Sequence, residues 1–226
     1  MILQIETATT SCSVALASDG KVLAFKEINA RNIHAEVITV YINELMAQTG
    51  NTYAHLDAIA VSCGPGSYTG LRIGVSTAKG LCFALDKPLI AVQTLAAMAN
   101  GIALSNNVAN MLLCPMIDAR RMEVYTAIFS ATGGIIKPTA AEIIDANSFS
   151  EILAENKVLF FGDGADKCRH ALGDNPNAEF LSDFENSARH LTKIAADKFK
   201  RGDFEDVAYF EPYYLKDFIA GKKAGS

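Results

Sequence analysis

Several things that would announce a function are missing from this chain. Its 226 residues include no tryptophan and only four histidines, His34, His55, His170 and His190, which stand far apart. None forms the i, i+4 pair by which one helix holds a metal, so no metal site is expected. The cysteines (Cys12, Cys63, Cys82, Cys114 and Cys168) are odd in number and show no CxxC or Cys/His ligand spacing. That argues against a disulfide framework and predicts buried free thiols in a reducing compartment. The longest apolar runs, 56–61 and 111–117, fall well short of the roughly 20 residues a membrane helix needs. The start lacks a basic region followed by a small-residue cleavage site, so a cytoplasmic location is expected. There is no basic excess either. The formal charge is −5 and only Lys216, Lys222 and Lys223 gather. Autonomous RNA binding, which relies on cations set against phosphates, is disfavoured, although a role beside an RNA-binding partner is not. No G-x-S-x-G elbow occurs and no base can be assigned to Ser67, so no catalytic residue is named.

What is present is a well-patterned globular chain, half apolar and one-fifth charged. Strands are predicted over 2–5, 11–17 and 21–28, with Asp19-Gly20 turning between the last two. A helix over 34–48 follows, then a continuous apolar strand over 56–62. A glycine-rich loop, 64–70, opens a second helix to about residue 85. Strand 89–92 and helix 94–104 complete the first half. The second half repeats the order: strands 111–117, 122–130 and 135–144, helix 148–155, strand 157–161, then Gly162-Asp163-Gly164 and a further helix. Residues 187–201 carry an amphipathic pattern with Leu191, Ile194, Ala195, Lys198 and Phe199 on one stripe. The offset between halves is about 110 residues, and each first strand ends in an acid, Glu6 or Asp118. Two α/β lobes are expected, 1–105 and 106–226, each βββαβα, with a cleft between them where strand-end loops bind ligands. The final segment packs on one lobe or the other.

The loop Gly64-Pro65-Gly66-Ser67-Tyr68-Thr69-Gly70 lacks the Lys-Ser/Thr of a Walker A loop and the spacing of a dinucleotide fingerprint. It is either an anion-binding loop at a helix N-terminus, with Gly64, Gly66, Ser67, Glu6 and Asp118 as candidates, or a tight turn. Beyond it Gly70, Gly74, Ala78 and Cys82 form a small-residue ridge. Glycine inside a helix costs up to about 1 kcal/mol, so another backbone is expected to lie close, from this chain's own sheet or a partner. Helix 34–48 carries more apolar residues than the single stripe that packing on one sheet requires. The two helices therefore predict a partner interface of Val37, Ile38, Tyr41, Ile42, Leu45, Gly70, Ile73, Gly74, Ala78, Leu81 and Cys82.

Four stretches resemble the TsaB (YeaZ) family: the opening Ile2-Leu3-Gln4-Ile5-Glu6-Thr7-Ala8-Thr9, the loop running on to Leu71-Arg72-Ile73-Gly74, Asp118-Ala119-Arg120-Arg121 with Glu123-Val124-Tyr125, and Pro212-Tyr213-Tyr214-Leu215-Lys216. The resemblance implies a two-lobed actin/Hsp70-like (ASKHA) fold. It also implies a non-catalytic role in making threonylcarbamoyladenosine at position 37 of tRNA. The expected partners are a TsaD-like catalytic subunit and a TsaE-like ATPase, with tRNA met through the complex. Self-association through the helices of the first lobe is expected in isolation. No intrinsic cofactor is expected, and ATP or ADP only within the assembled complex. Thr94 and Met98 stand where TsaD carries a histidine pair, and both are poor ligands for its metal. Glu6 departs from the aspartate usual in the family. The competing reading is an actin-like ATPase or small-molecule kinase that holds a metal-nucleotide between Glu6 and Asp118.

Overall fold

A computed structural model describes residues 1–30, 32–105 and 108–216; Lys222 and Lys223 lie outside them. The first lobe is built on β1 (Ile2–Glu6), β2 (Ser11–Ser18), β3 (Lys21–Asn29), β4 (Ala58–Ser62) and β5 (Leu89–Val92), joined by α1 (His34–Gln48), α2 (Tyr68–Leu85) and α3 (Thr94–Ser105). The second uses β6 (Leu112–Asp118), β7 (Glu123–Ser130), β8 (Ile135–Ile143), β9 (Val158–Phe161) and β10 (Ala178–Leu181), with α4 (Ser150–Glu155), α5 (Ala165–Leu172) and α6 (Thr192–Arg201). The sheet orders β3-β2-β1-β4-β5 and β10-β9-β6-β7-β8 are the same order written from opposite ends. β1–β2–β3 and β6–β7–β8 are antiparallel meanders, and β4, β5, β9 and β10 add in parallel.

The expected repeat is present and extends further than its six-element form: each half carries a fifth strand and a third helix. The strand missing from the sequence reading is β10, four residues with little alternation. Residues 56–57 precede β4 rather than belonging to it, because a 3₁₀ turn at Tyr53–His55 brings the chain in. The amphipathic stretch 187–201 divides into a 3₁₀ turn, Ala188–Leu191, and α6.

Strands covered on both faces read as unbroken apolar runs. That holds for β1 and β4, every residue of which is buried. One face of the first sheet lies under α1 and α2, where Ile38, Ile42, Leu45, Val75, Ala78 and Cys82 join Leu3, Ile5, Val14 and Val61. The other face lies under Leu191 and Ala195, against Ile2, Ala58, Ala60 and Ile90. The last helix therefore returns to the first sheet. In exchange, Leu95, Met98 and Ile102 of α3 pack on Leu113, Ile117, Phe129 and Phe161 of the second sheet. Buried polar ties seal the crossover: the Thr192 hydroxyl donates to Gln4 Oε1 at 2.8 Å and Ser11 Oγ to the Asn186 carbonyl at 2.6 Å. All five cysteines are buried free thiols, as the sequence predicts.

Candidate functional site

A cleft of about 840 Å³ opens between the lobes. Its floor comes from the loops that leave β1 and β6, and its walls from the two glycine loops and from residues 213–216. The glycines are explained by close backbone packing. Gly64 has φ +120°, and a Cβ there would stand 2.4 Å from the Tyr213 carbonyl oxygen. Gly66 and Gly70 lie against the Ala8 and Thr7 carbonyls, so that added Cβ atoms would meet them at 2.4 and 2.1 Å. Gly162, φ +102°, lies in the same way on the Met116 carbonyl. In each lobe the loop before the second helix sits on backbone leaving the first strand, and only glycine permits that approach.

Several predicted site residues take other places. Glu6 does not face the cleft. It is 1 % exposed, and its Oε1 accepts from the Ala8 N–H at 2.6 Å and the Ser62 hydroxyl at 2.9 Å. Burial pushes its carboxyl up to about 7 against these lowering hydrogen bonds. It braces the β1 and β4 ends from inside, so the pairing of Glu6 with Asp118 around one ligand does not occur. Gly64 is covered by Tyr213 and is likewise unavailable. Gly66, Ser67 and Asp118 do line the cleft. Ser67 Oγ caps α2 by accepting from the Gly70 N–H, and Asp118 forms an ion pair with Lys167. Thr94 Oγ1 accepts from the Gly64 N–H at 3.1 Å. Met98 packs over Gly162. Both therefore serve the fold at positions where TsaD was expected to carry histidines.

The proposed interface list needs a similar correction. Ile38, Ile42, Leu45, Ala78 and Cys82 are at most 2 % exposed and belong to the first lobe's core. Gly70 and Gly74 are buried on Thr7, with a Cβ at Gly74 reaching to 2.2 Å from Thr7 Oγ1. That hydroxyl in turn donates to the Gly70 carbonyl at 2.8 Å. The small-residue ridge thus faces this chain's own sheet, because the extended loop after β1 must pass under α2. Val37, Tyr41, Ile73 and Leu81 are half-buried and remain at the surface. Beside them stand Val40, 48 % exposed, and Gly80, whose added Cβ would meet nothing within 4 Å.

Two segments that the sequence marks only in outline take their form in the structure. The segment after α6 is a strap. Glu205 bridges to Leu89, Lys79 Nζ donates to the Ala208 and Phe210 carbonyls, and the Tyr213 N–H donates to the Cys63 carbonyl at 2.7 Å. Lys216 then forms an ion pair with Glu123 on the second lobe. The Tyr214 ring lies 4.9 Å from that of Tyr68, whose face carries the Arg72 guanidinium at 4.4 Å. The second feature is the β6–β7 turn, where Arg120 and Arg121 both adopt left-handed backbone, φ +70° and +49°. Side chains other than glycine or asparagine pay about 1 kcal/mol or more for that conformation, and strain of this kind concentrates at functional sites.

Two similar five-stranded sheets around a cleft, with exchanged helices, define a protein of the actin-like, ASKHA-type class. In agreement, the activator of 2-hydroxyisocaproyl-CoA dehydratase from Clostridium difficile superposes with a TM-score of 0.53 over 89% of this chain and 96% of that one, at 9% identity, a likeness of fold alone. The solved YeaZ of Pseudomonas aeruginosa superposes with a TM-score of 0.80 at 26% identity over 95% of this chain and 99% of that one. The tRNA threonylcarbamoyladenosine biosynthesis protein TsaB of Escherichia coli is 34% identical across 98% of this chain and 97% of its own length. The family model for TsaD, tRNA N6-adenosine threonylcarbamoyltransferase, matches residues 27–216. The chain belongs to the TsaB family, within the wider group of chains that the TsaD model describes.

Proposed function

We propose that this chain is a non-catalytic subunit in the synthesis of tRNA threonylcarbamoyladenosine, and that the outward face of α1 and α2 docks a TsaD-like catalytic subunit. Gly80 carries the reading. Glycine in a helix interior is unfavourable by up to about 1 kcal/mol, and among the described residues nothing stands within 4 Å of a Cβ added at Gly80 to compensate. It lies on the helix that also presents Ile73 and Leu81, beside the Val37, Val40 and Tyr41 face of α1. A second helix backbone set against that face would account for it. The inward-turned Glu6 and the structural use of Thr94 and Met98 support a subunit that does no chemistry of its own. On this reading it binds no cofactor alone, and ATP or ADP enters only with the assembled complex and its TsaE-like ATPase. The same face serves for pairing with a second copy when the partner is absent. The lobes divide near residue 105, with the exchanged helices and the strap crossing between them.

The test is co-purification with the TsaD-like partner of the same organism. A one-to-one pair is expected, and Val40→Asp and Gly80→Glu, both at exposed positions, should abolish it without lowering the melting temperature. Unchanged pairing in both variants would remove the interface. Micromolar Mg-ATP binding with turnover by the chain alone would favour the kinase or ATPase reading instead.

A further inference from the structure

The strap is anchored unevenly. On the first lobe it is tied at several points. The Glu205 N–H donates to the Leu89 carbonyl at 2.9 Å, and Lys79 Nζ donates to the Ala208 and Phe210 carbonyls at 3.2 and 2.9 Å. Arg72 hydrogen-bonds Tyr214 and has Glu211 as an acidic neighbour. The Tyr213 N–H reaches the Cys63 carbonyl, and the Tyr213 carbonyl covers Gly64. Among the described residues, the strap meets the second lobe through one ion pair and no other hydrogen bond or ion pair, that of Lys216 with Glu123. Glu123 closes the β6–β7 turn. The Ala119 N–H donates to its carbonyl, and its own N–H donates to the Arg120 carbonyl, both at 3.1 Å. Lys167 Nζ donates to the same Glu123 carbonyl at 2.7 Å and pairs with Asp118. Asp118, Ala119 and Arg120 line the cleft from this turn, and residues 213–216 line it from the strap. One ion pair therefore clips the two linings together.

We propose that Lys216 and Glu123 form a latch across the interlobe cleft, and that its release lets the β6–β7 turn move away from the strap and opens the cleft. The arrangement suits a latch better than a permanent brace. The ties that seal the crossover between lobes, Thr192 to Gln4 and Ser11 to the Asn186 carbonyl, are buried. The Lys216 and Glu123 side chains are 45 % and 21 % exposed. Pairs open to solvent are weak, and salt loosens them. The first-lobe anchors hold the strap in place when the pair breaks, so the second lobe is the part that moves. This inference does not depend on the proposed docking face, and it is tested on the chain alone.

Hydrogen–deuterium exchange of the full chain tests the latch, because exchange of protected amides follows the population that has opened. Lys216→Glu and Glu123→Lys each set like charges against one another, and Lys216→Ala removes the pair without adding repulsion. At low salt each should speed exchange in residues 64–71 and 117–125 by about threefold to fivefold, the upper range for the loss of one exposed pair. The double variant that exchanges the two charges should return both stretches to within about twofold of wild type, a rescue that a purely local role of either side chain would not give. Raising the salt concentration should speed exchange in wild type and leave Lys216→Ala unchanged. Faster exchange confined to residues 205–216 would mean that the strap frays while the cleft stays closed, and it overturns the inference. Single variants within about twofold of wild type in both stretches overturn it as well, as does a charge exchange that restores nothing.

Discussion

Glu6 gives the most direct check on the physical account. Its carboxyl is buried at the end of β1, and moving it from 4.5 to about 7 corresponds to about 3 kcal/mol in favour of the protonated form. The sign follows from proton counting. Between pH 4.5 and 7 the unfolded chain has released this proton and the native chain keeps it, so stability falls as pH rises through that window and levels off above it. The nearest thiols do not interfere, because burial pushes Cys12 and Cys63 up to about 11. Glu6→Gln keeps an oxygen to accept from Ala8 and Ser62 but cannot ionise. It sets an amide N–H₂ among donors, which costs a constant amount of about 1–3 kcal/mol, so the informative quantity is the slope. Urea unfolding of both proteins at several pH values gives it. Wild type should lose about 2–3 kcal/mol more than the variant between pH 5 and pH 8. Parallel curves for the two proteins would refute the burial argument.

Other outcomes follow from the same geometry. Gly80→Ala should stabilise the chain by about 0.5–1 kcal/mol, whereas Gly74→Ala, driven onto Thr7 Oγ1, should destabilise it by about 1–3 kcal/mol; equal denaturation midpoints would contradict both. His190 is buried and pushed down to about 4 by burial first and Arg189 second. Its contribution to stability is present above pH 6.5 and lost as pH falls toward 4, and its ring signals in NMR should show no titration midpoint near 6.5. Arg120→Asn with Arg121→Gly should raise the melting temperature by about 2–4 °C for each kcal/mol of strain relieved. A lowered value would mean the arginine turn is not strained.

Much of the fold was legible in the residues. Period-2 and period-3.6 patterns, the Asp19-Gly20 turn, the glycine loops and the acids at the ends of the first strands marked the duplicated lobes, because each depends on neighbours close in sequence. The resemblance to the TsaB family rested on short motifs that the whole-chain comparison bears out. β10 went unseen because four residues carry too little periodicity to distinguish them from a loop.

The partners of each face were not legible. Spacing groups Gly70, Gly74, Ala78 and Cys82 on one side of α2, yet it does not say whether that side meets the chain's own loop or another molecule. The same gap placed Glu6 in a cleft when its carboxyl turns inward. Sequence alone determined which residues share a surface. Which surfaces meet was decided only when exchanged helices, strap and lobes closed on one another, since many of those contacts join residues far apart in the chain, such as Gln4 with Thr192, 188 positions away.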